Sequence, residues 1–165
     1  IDYDAKFVFE VAGYNLEGNE LGAAFGLTQL KSLKRNIEIR EKNFNLQNDF
    51  FSKYDQIFSI PEQAENIKTG WLAYPILINK EANFKRKDFQ IFLEKRDIQT
   101  RVVFTGNIMR QPMMKNVMYK TNKHGYPNSD AVMERGVLLP LHHGMTKEMF
   151  NRLHLTIEEF INKHI

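Results

Sequence analysis

Cysteine is absent from the 165 residues, which excludes disulfides, thiolate nucleophiles and thiolate-bound metals and is compatible with a reducing cytoplasm. Long apolar runs are missing too. Residues 7–12 are too short for a membrane span and carry Glu10, and the start lacks the basic-then-apolar order of a secretory leader. Charge of one sign is scarce: the net charge is +3, lysines are interspersed with acids, and only Lys85-Arg86-Lys87 clusters. That triplet reads as the solvated start of a helix in preference to a nucleic-acid contact, so neither nucleic acid nor membrane is an expected partner. Glycine-rich phosphate loops of the Walker or Rossmann kind do not occur. Ser32, Ser52, Ser59 and Ser129 lack the glycine-flanked context of a nucleophile elbow. No repeat or low-complexity tract stands out. The chain opens at Ile1, directly in an alternating apolar segment, and reads as an entry into the middle of a larger fold, a processed or trimmed protein.

What is present argues for a packed core: 42% of residues are hydrophobic and thirteen are phenylalanine. The length suits one good core, or one domain with an appended arm. The organising stretch is GYNLEGNELGAAFGLTQL, residues 13–30, a turn that feeds a long helix. Gly18 and Asn19 suit the helix start, and Glu20 sits in the first turn, where a carboxylate complements the dipole. Gly22 and Gly26 lie four residues apart. Glycine weakens a helix interior, so two on one face suggest that another backbone comes close; a tightly packed helix within the chain is the plainer alternative. Asn15, between an aromatic and a glycine-rich turn, is a candidate hydrogen-bonding group for a ligand or a partner.

Residues 6–12 alternate as a short strand or extended arm. The helix is expected over about 19–53, with Leu21, Phe25, Leu30, Leu33, Ile37 and Phe44 at helical spacing and room for a break around 31–34. Residues 57–60 and 71–78 read as strands, the latter at an edge or bulge because Pro75 lacks a backbone donor. An amphipathic helix follows over 84–97, with Phe89, Phe92, Leu93 and Phe84 inward, and a strand over 99–104. Residues 105–127 lack periodicity and are long enough to be a lid or binding loop. A helix over 128–135 capped by Asn128 or Ser129, a strand over 137–141 and a final helix capped by Thr146 complete the order. The core face of the last helix is Met149, Phe150, Leu153, Ile157, Phe160 and Ile161. This order predicts a small α/β (α+β sandwich) fold. Residues 1–53 would form the arm and long helix, and residues 54–165 a small α/β domain.

Two sets of polar residues carry the candidate chemistry. Asn107, Arg110 and Gln111 lie on a strand-to-loop exit and can hold a phosphate or sugar hydroxyls, since guanidinium matches phosphate in a fork. Arg110 can equally tie the loop to a carboxylate elsewhere, and Arg101 is either buried and paired or reaches the same site. His142 and His143 follow a strand and precede Gly144. On extended backbone they point to opposite sides, and no Cys, Asp or Glu at ligand spacing completes a set, so no metal is expected. Either histidine can cap the loop or contact a ligand. His124 reads as solvated, His154 as a core-edge residue, and Trp71 and Tyr74 as core or edge aromatics. No chemical engine is visible.

The phrases GYNLEGNELGAAFGLTQLKSL, TRVVFTGNIMRQP and LLPLHHGM closely resemble the C-terminal portion of the DegT/StrS family of pyridoxal-phosphate-dependent sugar-nucleotide aminotransferases. The GN-x-x-RQP loop resembles most the 3-dehydrase branch of deoxysugar and lipopolysaccharide sugar synthesis. The resemblance implies the small domain of a fold-type I enzyme, led by a long interface helix, in a cytoplasmic homodimer. It implies that Asn15 reaches the cofactor phosphate of the other subunit and that Tyr14 is the aromatic of the same turn. Glu20, Gly22, Ala23 and Ala24 would begin the interface helix. It places Asn107, Arg110, Gln111 and His142 on the side of a nucleotide-sugar substrate. Glu17-Gly18-Asn19 departs from the basic residue frequent in the family. The large domain that mainly binds pyridoxal phosphate and holds the catalytic lysine or histidine is missing, so no catalytic residue is assigned here. The isolated fragment is expected to be inactive. The alternative is a catalytically inactive fragment that serves as a dimerisation or nucleotide-sugar-binding module.

Overall fold

The computed structural model describes residues 18–112, 114 and 117–164. Tyr14, Asn15 and the arm expected over 6–12 lie outside them. The chain divides into two compact units, Ile1–Lys34 and Arg35–Ile165.

In the first unit the described residues are the opening turns of helix α1 (Glu20–Phe51). Asn19 caps it: its Oδ1 accepts from the Gly22 N–H at 2.7 Å, which satisfies one of the donors that a helix start leaves free. Leu21, Phe25, Leu30 and Leu33 are exposed. A Cβ built on Gly26 would meet no described atom within 4 Å, and one on Gly22 would meet only the cap, Asn19. Close packing against the described residues therefore does not explain these glycines. The helix shows no break over 31–34.

The second unit holds the core. Three antiparallel strands, β1 (Phe58–Ser59), β2 (Ala73–Ile78) and β3 (Gly136–Pro140), pair in the order β1-β2-β3. The buried positions of β2 alternate, with Tyr74, Ile76 and Ile78 inward, as a sheet with one packed face requires. Onto that face pack the end of α1, through Phe44, Phe50 and Phe51, then α2 (Arg86–Glu94), through Phe89 and Leu93, and α4 (Lys147–His164). Rings interlock throughout: Phe51 meets Phe58 edge-on at 5.3 Å, and Phe160 meets Phe84 at 4.8 Å and Phe89 at 5.1 Å. Each such ring, buried, contributes on the order of 2–3 kcal/mol of transfer free energy. The result is a mixed helix-and-sheet fold with a long leading helix.

Four local expectations are corrected. Pro75 lies in the central strand, not at an edge or bulge. It faces Leu138, whose backbone N–H and C=O both turn away toward Arg101, so Pro75 and Leu138 form a pair that exchanges no hydrogen bonds. The Pro75 nitrogen therefore points toward β1, which pairs only with Leu77 and Ile78 and leaves it nothing to donate to. Residues 99–104 form no continuous strand; Arg101 makes a single bridge to Leu138, after which the chain turns at Phe104. Helix α3 (Pro127–Arg135) is capped at Tyr126, two residues before Asn128 and three before Ser129, with Pro127 in its first turn, because proline suits a position that needs no donor. On α4, Thr146 Oγ1 accepts from Met149 N–H as expected, but Met149 itself is exposed and Thr156 takes a buried place.

His154 on α4 lies flat against Phe50, with ring centroids 3.9 Å apart, and its Nε2 donates to Gln47 Oε1 at 2.8 Å. Burial, with a smaller contribution from Lys53, holds its pKa down at about 4 against the usual 6.5. Between those two values the unfolded chain binds the proton and the folded one does not. Stability should therefore be full above pH 6.5 and fall as pH drops toward 4. His154→Phe should flatten the dependence of the thermal midpoint on pH across that window. An equally steep profile in the variant would assign the acid sensitivity to other groups.

Candidate functional site

The chain leaves the sheet after a single bridge, and the loop that follows lies against α3. After the Arg101 bridge, Phe104 N–H bonds back to Val102 O and Gly106 N–H to Val103 O, both at 2.9 Å. Gly106 has φ +62°, and a Cβ there would fall 2.5 Å from that of Met133. Only glycine allows the loop to lie this close to α3. Asn107 is 2% exposed. Its Oδ1 accepts from Met109 N–H at 3.0 Å, opening the short 3-10 turn Ile108–Arg110, and its Nδ2 donates to Asp130 Oδ1 at 2.7 Å. Arg110 closes on the same carboxylate in a fork, Nε to Oδ1 and Nη2 to Oδ2, each 2.9 Å. Gln111 Nε2 donates to Thr105 O at 3.0 Å. The Arg110 fork first, and then Asn107, hold the Asp130 pKa down to about 2 from 3.8, while Asp130 raises that of Arg110.

Asn107 and Arg110 thus meet on Asp130, while Gln111 ties the same loop back to Thr105. The fork of Arg110 binds a carboxylate of its own chain, one of the two roles open from the sequence. Its Nη1 has no hydrogen-bond partner among the described residues, and the side chain is 59% exposed, so an anion can approach its free edge. Gln111 lines a cleft of about 150 Å³ together with Arg86, Phe104 and Met133.

His142 belongs elsewhere. It lines a groove of about 450 Å³ with Leu72, Ile98, Arg101, Met149 and Arg152, which does not include the Asp130 assembly. Its Nδ1 accepts from Gly144 N–H at 3.1 Å, capping the turn, and its carbonyl accepts from Asn43 Nδ2 at 3.0 Å. His143 Nδ1 faces Arg40 Nη2 at 3.5 Å. Arg101 is exposed, not buried, because its backbone, and not its side chain, makes the bridge. Sequence reading missed Asp130 and Phe104. An aspartate in the first turn of a helix is an ordinary dipole residue, and nothing in its spacing from Arg110 tells that the two meet.

The model of the DegT/DnrJ/EryC1/StrS aminotransferase family matches residues 2–158. The lipopolysaccharide biosynthesis protein RfbH of Salmonella typhimurium is 30% identical over 96% of this chain and 36% of its own length. The dTDP-4-dehydro-2,6-dideoxy-D-glucose 3-dehydratase of Saccharopolyspora spinosa is 32% identical over 98% of this chain and 34% of its own. Among solved structures, a GDP-4-keto-6-deoxymannose-3-dehydratase with a trapped PLP-glutamate geminal diamine superposes with a TM-score of 0.74 at 27% identity, over 91% of this chain and 39% of that one. The chain spans about a third of the length of these curated relatives.

Because Asn107 is buried and makes both hydrogen bonds of the turn, Asn107→Ala should lower the stability of the second unit by about 1–3 kcal/mol. Asn107→Asp should cost more, since it sets a second carboxylate against Asp130. Urea denaturation of both variants measures this; an aspartate variant as stable as wild type would mean that the Asp130 contact is not formed.

Proposed function

Because the chain belongs to the DegT/DnrJ/EryC1/StrS aminotransferase family, we propose that it is the C-terminal part of a pyridoxal-phosphate-dependent enzyme that acts on a nucleotide-linked 4-keto-6-deoxyhexose in deoxysugar or lipopolysaccharide biosynthesis. The observation that carries this reading is the family match over residues 2–158 together with the Asp130-centred assembly built by the GN-x-x-RQP segment. Of the two family reactions, removal of a 3-hydroxyl is favoured over amino transfer by the names of similar proteins, the Saccharopolyspora 3-dehydratase among them. Pyridoxal phosphate, when bound, would supply an electron sink for chemistry at the sugar. Among the described residues no pocket is assigned to it; its phosphate contact in this chain would be Asn15, reaching across a dimer beside Tyr14. Asn107, Arg110, Gln111 and His142 would lie on the substrate side, Asn107 by shaping the loop. Residues 1–53 would serve as arm and interface helix and residues 54–165 as the small domain. No described helix is long and apolar enough to cross a membrane, and a cytoplasmic enzyme fits the substrates proposed.

The homodimer is supported by the apolar side chains that the first half of α1 leaves exposed, Leu21, Phe25, Leu30 and Leu33. Gly26, open among the described residues, gives the test two signs. In a monomer Gly26→Leu should stabilise the helix, by up to about 1 kcal/mol. Where a second backbone packs on that face, the same change should weaken association, read as a drop in mass on dilution by light scattering. A variant that is more stable and keeps its mass would count against the interface.

Arg110 tests the substrate side. In the full-length protein, Arg110→Ala should raise the Kd for the nucleotide sugar tenfold or more, the loss of about 1.5–3 kcal/mol typical of a charged hydrogen-bonding group. An unchanged titration curve, with the circular dichroism spectrum intact, would confine Arg110 to holding the loop on Asp130.

A further inference from the structure

The turn that launches the Asp130 loop contains a residue that the turn does not need. Phe104 has φ +46°, in the left-handed region that glycine and asparagine enter readily and a bulky side chain does not. Its ring is 85% exposed. Backbone strain and bare apolar surface at one position both disfavour phenylalanine, and neither contributes to the core. The backbone around it is nonetheless fixed, by the bonds of Phe104 and Gly106 to Val102 and Val103, by Gln111 Nε2 on Thr105 O, and by the contact of Gly106 with Met133. A ring held out on a stiff turn is suited to receiving something.

The cleft beside it indicates what. It measures about 150 Å³ and is lined by Arg86, Val102, Phe104, Gly106, Gln111 and Met133, among others. Arg86 is already fixed by its Nε on Glu134 O and its Nη1 on Gln90 Oε1, both 2.9 Å, which leaves Nη2 without a partner among the described residues. Gln111, held by its Nε2, likewise keeps Oε1 without one. A donor and an acceptor on residues that line the cleft, beside an exposed aromatic side chain, match a heteroaromatic ring with donors and acceptors on its edge. An aliphatic protein surface would leave both unpaired. We propose that Phe104 is the stacking contact for the base of the nucleotide sugar, with Arg86 and Gln111 along the base edge. This assignment rests on the nucleotide-sugar reading above and gives that site the end that recognises the nucleotide.

Isothermal titration of the full-length protein with GDP and with dTDP, for wild type, Phe104→Asn and Phe104→Trp, tests it. Asparagine tolerates the left-handed turn, so Phe104→Asn should melt no lower than wild type, yet bind its nucleotide about tenfold more weakly, the range for loss of one base–aromatic stack. Phe104→Trp keeps a stacking face and should retain affinity. A role confined to architecture would move stability and leave nucleotide affinity alone. Unchanged affinity in Phe104→Asn would overturn the assignment while leaving the nucleotide-sugar reading standing. Dissociation of an oligomer by Phe104→Asn would overturn it in favour of a subunit contact. Failure of wild type to bind either nucleotide would overturn both.

Discussion

Leu138 has one backbone N–H and one C=O, and both are given to Arg101, at 2.7 and 3.0 Å. Much follows from that single bridge. It turns the polar groups of Leu138 away from β2, so that β2 can carry Pro75 opposite it without losing a hydrogen bond. It also fixes where the chain leaves the sheet. Only Arg101 is paired there, and within three residues the backbone has turned through Phe104. The loop of Asn107, Arg110 and Gln111 therefore starts from a fixed point on the outer side of β3. A longer pairing would have carried Val102 and Val103 onward as strand and set the loop further from α3.

What holds the loop down is less the visible ion pair than the groups behind it. Arg110 and Asp130 are 59% and 37% exposed, and pairs of this kind in water contribute little because solvent screens them. Asn107, by contrast, is buried, and leaving its hydrogen-bonding groups unmade carries the desolvation cost in full. Gly106 adds a steric requirement, since its closeness to Met133 leaves no room for a side chain. The buried amide and the glycine set the position; the arginine fork then orients a cation on a site already built. This ordering explains how Arg110 can be tied to its own chain and still present a charged edge.

Helices α2 and α4 were legible because their apolar periodicity is strong. Phe150, Leu153, Ile157, Phe160 and Ile161 face the core of α4 as spacing predicts, and Phe89 and Leu93 do so on α2. Met149 misled because a helix entering a fold exposes part of its first turn, whatever its hydropathy. Pro75 misled because donor geometry depends on the partner strand, and nothing in residues 71–78 states that β1 is only two residues long. The site was half legible. GN-x-x-RQP marked the loop, but Asp130 lies twenty residues beyond Arg110 and is brought in by the packing of α3. Phe104 sat inside an apolar run that read as strand, and only a backbone angle separates it from a core residue. Asn15 and Tyr14 lie outside the described residues, and their proposed roles rest on the family resemblance alone.

Local preference and global fold agree nearly everywhere in the second unit, which is why the places of disagreement carry information. An open glycine within α1 is one, since Gly26 weakens a helix without fitting any described residue against it. Bare leucines and a phenylalanine on the same stretch are another. Phe104, bulky at a positive φ and exposed, is a third. Burial of the chain's own apolar surface explains none of them, for each would be better filled by a different residue if folding were the only demand. Alanine would strengthen the helix, polar residues would cover it, and asparagine would relax the turn. These departures are what the proposed contacts would account for. The glycine face has the smoothness that the proposed second backbone would require, and the strained phenylalanine has the flat apolar face that the proposed base would require.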